Sequence, residues 1–271
     1  MPVQHITSRQ NERVKEAAKL RAARQRARQG RIVIDGAREI LRALDAGVEV
    51  CEAFLCESLA GSEEARQARS RLEGTSATLA TVTEEVYDKL CYGERTGGVL
   101  VIAKTPARGL DQLTLPAAPL IAVIEGVEKP GNVGAVLRSA DAAGLDAVVV
   151  ADPRTDLFNP NTIRASLGTV FNANVCTATS EETLAWLRGL NATVFAARPD
   201  AELLYAAADF RQAAAIVLGS EAEGLSGAWR GPGVTSVRLP MRGVADSLNV
   251  SATAAVLFYV ARRQRHLAPG Q

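Results

Sequence analysis

The rhythm of hydrophobic and polar positions changes along the chain. In the first hundred residues short apolar runs alternate with helical patterns: strands are predicted at 31–34, 50–55, 78–82 and 98–103, and helices at 37–46, 62–72 and 84–90. Ahead of them, residues 10–28 lack proline and glycine. Val14, Ala17, Ala18 and Leu20 recur there with partial amphipathic spacing, which predicts one continuous helix. Beyond residue 119 the strands become near-continuous apolar runs, at 120–124 and 147–150 with a helix between them, the pattern of a parallel sheet buried on both faces. Further strands are predicted at 192–196, 214–218 and 235–239, and a helix at 250–265 closes the chain. Residues 106–119 are rich in proline and small side chains and follow neither period, as a linker does. The expected organisation is a small α/β domain over 1–105, a linker over 106–119, and a second α/β domain over 120–271.

Composition changes this picture little. With 47% hydrophobic and 23% charged residues among 271, the chain has the make-up of a soluble globular protein. A net charge of +1 points to neither nucleic acid nor membrane, and no apolar run approaches the roughly 20 residues that span a bilayer. Cys51, Cys56, Cys91 and Cys176 match neither a CxxC pair nor paired metal ligands, and His5 and His266 are the only histidines, so no metal site is expected. Together with a start that lacks an apolar leader, this gives the expectation of a reduced, cytoplasmic protein.

Charge matters locally. Between Arg9 and Arg31 nine cations, including Arg24, Arg26 and Arg28, face only Glu12 and Glu16. Such a segment is either a solvated face or an arm along RNA phosphates, whose binding would weaken steeply with salt.

Three glycine-marked loops follow predicted strands, where open α/β sheets bind ligands. The first, residues 125–144, carries Asn132 and, six residues later, Arg138. Its spacing matches neither the dinucleotide fingerprint nor the Walker A loop. The second holds Gly219, Glu221 and Gly224. The third runs from Leu239 through Pro240 and Met241 to Ser247, Leu248, Asn249, Val250 and Ser251, at the start of the last helix. Taken singly, Asn132, Ser247, Asn249 and Ser251 are ordinary helix caps and Glu221 an ordinary surface acid.

In combination, order and spacing, the three motifs over residues 120–265 resemble the SpoU, or TrmH-type, family of SPOUT RNA ribose 2′-O-methyltransferases. Lys129 departs from the pattern, which usually has an acidic residue just before Pro-Gly-Asn. Arg164 and Ser166 fall at recurrent polar positions of the connecting stretch between the first two motifs. Residues 1–105 resemble, more loosely, the family's RNA substrate-binding extension, a small ribosomal-protein-like α/β domain. Within the family the combination resembles ribosomal RNA methyltransferases that include resistance enzymes of the thiostrepton and avilamycin type.

The resemblance implies a C-terminal SPOUT α/β domain with a trefoil knot and an active site built across a homodimer. It implies S-adenosylmethionine as cofactor, held near Ala196, Ala197, Leu218, Gly219, Leu239, Met241 and Leu248. Arg138 would activate the hydroxyl, either by holding the target phosphate and stabilising developing charge or as base, oriented by a bidentate pair with Glu221, while Asn132, Ser247 and Asn249 position the ribose. Arg9, Arg24, Arg26, Arg28 and Arg164 would contact the RNA, most simply 23S ribosomal RNA. A transfer RNA methyltransferase, a non-catalytic RNA-binding protein, and a small-molecule or protein methyltransferase on the same fold are the alternatives.

Overall fold

The computed structural model describes residues 4–92 and 97–266. Contacts divide the chain into two compact units: Met1–Pro106 with Phe158–Phe171, and Ala107–Leu157 with Asn172–Gln271.

The first unit runs β1 (Gln4–Ile6), α1 (Glu12–Lys19), α2 (Ala23–Gln29), β2 (Arg31–Asp35), α3 (Ala37–Asp45), β3 (Val50–Leu55), α4 (Glu63–Glu73), β4 (Thr78–Val82), α5 (Glu84–Leu90) and β5 (Val99–Lys104). Its five-stranded mixed sheet has the order β1-β4-β3-β5-β2. Strands β1, β4 and β3 pair in parallel, and β5 lies antiparallel to both β3 and β2. One core cluster joins Val14 and Leu20 to Phe54, Val86, Tyr87 and Leu100, all buried.

The helix expected over 10–28 is two helices. Nothing in the local sequence demands the break at Leu20–Ala22; tertiary contacts impose it. Leu20 is drawn fully into the core, and Ala22 adopts an extended backbone (φ −88°, ψ 127°). The carbonyls freed by the break are met from within the unit, because Arg26 Nη1 donates to Leu20 O at 2.7 Å and Arg21 O at 2.8 Å. Arg26 is only 2% exposed, so its guanidinium serves the fold and is not presented to RNA, contrary to expectation. Part of the segment's remaining charge is likewise committed. Lys15 pairs with Glu12, Lys19 with Glu16 and Arg13 with Glu52. Arg9, Arg24 and Arg28 are exposed and form no ion pair among the described residues.

The second unit contains β6 (Leu120–Glu125), α6 (Pro130–Ala143) and β7 (Ala147–Ala151). The chain then passes through α7 (Pro160–Ala165), which belongs to the first unit, and resumes with β8 (Val175–Ala178), α8 (Ser180–Gly189), β9 (Thr193–Ala197), β10 (Leu203–Leu204), β11 (Ala214–Leu218), β12 (Val234–Arg238) and α9 (Val250–His266). Residues 158–171, placed by the sequence reading in the 120–271 domain, thus pack with the first unit. There Arg164 Nη2 donates to Tyr92 O, its guanidinium lies 5.8 Å from the Tyr92 ring centroid, and Asn161 Nδ2 donates to Tyr92 OH at 3.3 Å. Ser166 is fully buried and donates to Ile163 O at 2.9 Å. Arg164 therefore ties its segment to the rest of the first unit, and Ser166 holds the segment's own backbone turn.

The seven-stranded sheet of the second unit has the order β10-β12-β9-β11-β6-β7-β8, and every pair is parallel. Every residue of β6, β7 and β11 is buried, as their unbroken apolar runs require. From β6 the chain builds outward to β7 and β8, then returns to β9 beyond β11. The carboxyl ends of β6, β9, β11 and β12 therefore surround the point where the winding reverses, the place at which such sheets leave a crevice.

Replacing Arg26 by alanine would leave the Leu20 and Arg21 carbonyls without their donor, at a cost of about 1–3 kcal/mol. The melting temperature of Arg26→Ala should fall by roughly 4 °C or more, whereas Arg24→Ala and Arg28→Ala should melt as the wild type does.

Candidate active site

The loop after β11 sets the geometry. Gly224 (φ +67°) turns the chain so that Gly224 N donates to Ser220 O at 3.0 Å, and the backbone folds back on itself. A Cβ on Gly219 would stand 2.3 Å from the Gly224 carbonyl carbon and 2.5 Å from Leu225 N, both backbone atoms that cannot swing aside. The GxExxG spacing therefore encodes a close approach of backbone to backbone, with Glu221 carried at the tip.

Glu221 is where the three motifs meet. Its Oε1 accepts from Asn132 Nδ2 of α6 at 3.0 Å and from Asn249 Nδ2, while its Oε2 accepts from Lys129 Nζ at 2.8 Å. Asn249 also caps α9, its Oδ1 accepting from Ser251 N at 2.9 Å and Ser251 Oγ at 2.6 Å. Donors from Lys129, together with those of Asn132, hold the Glu221 carboxyl below the usual carboxylate range, so it is ionised and acceptor-only at neutral pH.

Two expectations are corrected here. Arg138 does not pair with Glu221; it is exposed on α6 and forms no hydrogen bond or ion pair among the described residues. Six residues along a helix advance about 9 Å and leave a side chain about 120° round from the start, so Asn132 and Arg138 cannot serve one point in the same chain. Ser247 does not join the Glu221 cluster either, but lines the adjoining cleft.

That cleft, of about 400 Å³, opens at the strand ends. Ala197, Leu218, Gly219, Leu239, Met241 and Leu248 all line it. Ala196 does not; it is wholly buried in β9. Its charged lining is Arg198, Asp200, Glu221, Glu223, Arg230 and Asp246. An apolar slot flanked by carboxylates fits a flat base joined to a cationic centre, the chemistry of an adenosyl sulfonium.

Several groups at the site carry no sequence signal of their role. Glu125, the last residue of β6, is 5% exposed; its Oε1 accepts from Ser180 Oγ at 2.6 Å and Ser226 Oγ at 2.7 Å, and its Oε2 accepts from Ser226 N at 2.7 Å. Burial pushes this carboxyl up, but the donors from Ser180 and Ser226 outweigh it and its pKa lies below the ordinary 4.5. Arg198, 7% exposed, donates to Leu225 O at 3.3 Å and Ser226 O at 3.0 Å. Glu125 and Arg198 thus anchor the far end of the Glu221 loop from two strands. Arg154 spans Glu128 at 2.8 Å and Glu223, tying the first loop to the second. An acid directly after the apolar β6 run is the one hint that sequence offered. Among the described residues no cluster of three acids, histidines or cysteines could hold a metal, and no helix is long and apolar enough to cross a membrane.

Residues 119–259 match the SpoU rRNA Methylase family, and residues 11–101 match the MRM3-like substrate binding domain. A solved RNA 2′-O ribose methyltransferase is 44% identical, with 97% of this chain and 100% of that one covered and a TM-score of 0.85. The SpoU methyltransferase AviRb from Streptomyces viridochromogenes, solved with AdoMet, is 26% identical over 95% of this chain and 99% of its own, with a TM-score of 0.86. A 23S rRNA (uridine(2479)-2′-O)-methyltransferase of the same organism is 31% identical over 62% of this chain, and the match spans 60% of that relative. Fold and site together define a methyltransferase of RNA. The chain belongs to the SpoU rRNA methylase family.

Two consequences are measurable. Gly219→Ala must open the loop that walls the cleft, so calorimetric affinity for S-adenosylmethionine should drop by about tenfold or more. Because the folded-state pKa of Glu125 is depressed, its contribution to stability is present above the unfolded value near 4.5 and is lost as pH falls below it. In denaturant titrations the stability gap between wild type and Glu125→Gln should therefore close between pH 5 and strongly acid solution.

Proposed function

We propose that the protein transfers a methyl group from S-adenosylmethionine to the ribose 2′-hydroxyl of one nucleotide of 23S ribosomal RNA. The observation that carries this reading is the convergence of Asn132, Glu221 and Asn249, from three separate loops, beside a cleft of cofactor size and chemistry. AviRb, solved with AdoMet, and the S. viridochromogenes 23S rRNA enzyme support the choice of cofactor and substrate class.

Leu218, Leu239, Met241 and Leu248 would enclose the adenine, and Asp200, Glu223 and Asp246 would face the ribose hydroxyls and cationic groups. When bound, S-adenosylmethionine supplies a methyl group on a positively charged sulfur, an electrophile that needs only an aligned nucleophile. The ionised Glu221, fixed by Asn132 and Asn249, is placed to accept a hydrogen bond from the ribose and orient it, which is an entropic contribution to rate. As the ribose oxygen takes up the methyl group its proton passes to solvent water; a nearby fixed cation eases that loss, and Arg138 is the residue for that role. A guanidinium stays protonated, which favours Arg138 anchoring phosphate and stabilising developing negative charge over acting as the base. Since Arg138 stands away from Glu221 of its own chain, the reading includes a homodimer in which a second copy's Arg138 completes the site. The family's trefoil knot and a cytoplasmic location belong to the same reading.

Of the first-unit arginines expected to contact RNA, Arg9, Arg24 and Arg28 are exposed and free of ion pairs among the described residues, and so able to bind RNA phosphate. Resistance to a ribosome-targeting drug would follow where the methylated ribose lies in that drug's site.

Labelled methyl transfer to protein-free ribosomal RNA and, in parallel, to bulk transfer RNA tests the reading. Label at a single ribose of large-subunit RNA is the expected result; label in transfer RNA alone overturns the substrate. No label in either, with cofactor bound, overturns the catalytic reading on free RNA. Arg138→Ala should lose transfer by a factor of at least about 100 while calorimetric cofactor affinity stays within about twofold.

A further inference from the structure

Next to the cofactor cleft lies a second cavity of about 210 Å³ lined by Val127, Glu128, Lys129, Asn132 and residues 220–222. It shares Ser220, Glu221 and Ala222 with the larger cleft, so whatever occupies it abuts the cofactor's position. Its lining carries two carboxylates, Glu128 and Glu221, and one cation, Lys129. Without Lys129 this cavity would repel a phosphodiester chain.

The other cations nearby are committed or directed elsewhere. Arg154 is held between Glu128 and Glu223, Arg198 is buried against the Leu225 and Ser226 carbonyls, and Arg138 does not line the cavity. Lys129 differs from them. Its side chain is 72% exposed and ion-pairs with Glu221 alone, whose carboxylate keeps donors from Asn132 and Asn249 when the lysine departs. Leaving Glu221 therefore strands no buried charge. Lys129 also occupies the N-cap of α6, where a cation opposes the positive end of the helix. A locally unfavourable residue at a ligand-sized cavity is the kind of exception that function explains.

We propose that Lys129 is a substrate-binding residue whose ammonium exchanges Glu221 for a phosphodiester flanking the target ribose as the nucleotide enters this cavity. The exchange frees one face of Glu221 for the ribose and replaces an internal ion pair by a phosphate contact, so the resting pair keeps the cavity from carrying unbalanced negative charge. The inference rests on the ribose methyltransferase reading and deepens it: it adds a phosphate ligand supplied by the same chain as Glu221, beside the Arg138 of a second copy.

Full-length protein with the RNA that the wild type labels is the test, with steady-state transfer measured across a range of KCl and cofactor affinity measured calorimetrically. Lys129→Gln should raise KM for RNA on the order of tenfold, with the log–log salt dependence of kcat/KM shallower by about 0.7–0.9, the loss of one phosphate contact. Lys129→Arg should restore both, Lys129→Glu should be worse than Lys129→Gln, and cofactor affinity should stay unchanged throughout. An unaltered RNA KM and salt slope in Lys129→Gln, on an active wild-type background, overturns this inference alone and leaves Lys129 a screen for Glu221. A cofactor affinity that falls in parallel with KM also overturns it, since the lysine then shapes the cleft. A wild type that binds cofactor and labels no RNA removes the underlying reading, and this inference with it.

Discussion

Burial of β6, β7 and β11 on both faces is the constraint from which the rest of the second unit follows. A strand wholly enclosed in apolar neighbours can present polar chemistry only where it ends, and the parallel arrangement brings those ends to one side of the sheet. Glu125 finishes β6, Ala197 finishes β9, and Leu218 leads from β11 into the Glu221 loop. Because the strand order reverses between β6 and β9 around β11, the loops do not cover the strand ends but diverge, and the cleft is the space between them. The apolar character of the cofactor slot and the polar character of its rim are thus two consequences of one sheet.

Fixing the loops is a separate problem, solved mostly with charge. Glu125 holds Ser180 and Ser226, Arg198 holds the carbonyls of Leu225 and Ser226, and Arg154 bridges Glu128 and Glu223. The buried members, Glu125 and Arg198, are held by charge-assisted bonds, which in a low-dielectric surrounding give rigidity as well as energy. The exposed members are screened and contribute mainly geometry. Glu221 lies at the boundary between the two regimes, tied by two asparagines that a ligand need not disturb and by one lysine that it can. A site arranged in this way is ordered before substrate arrives and still has one exchangeable contact.

In the first unit charge is used differently. A segment that reads as uniformly basic resolves into lysines paired one turn apart with glutamates, an arginine paired across to Glu52, a buried arginine serving backbone carbonyls, and a remainder of free cations. The free ones are the residues able to release counterions from a nucleic acid. A count of basic residues overstates such a surface, because neutralised charges contribute little to a long-range field.

The hydrophobic period by itself determined the α/β class, the parallel sheet of the C-terminal unit and most element positions, since unbroken apolar runs admit few other folds. The family resemblance of the three motifs implied that Asn132, Glu221 and Asn249 belong to one site, and Gly219 and Gly224 marked the middle loop as a close turn, because that backbone demand is local. Tertiary structure decided the rest. The break at Leu20 follows from burial of that side chain and from Arg26 supplying the donors that the helix gave up, neither visible in a helical pattern free of proline and glycine. Residues 158–171 pack with the first unit because Arg164 and Asn161 find Tyr92 there, a partner about 70 positions away in sequence. Glu221 takes Lys129 in place of Arg138 because the helix turns Arg138, six residues beyond Asn132, away from the loop, whereas the residue ahead of the helix stays beside it. Resemblance of motifs names the residues expected at one site, and only the three-dimensional course of the backbone states which of them touch.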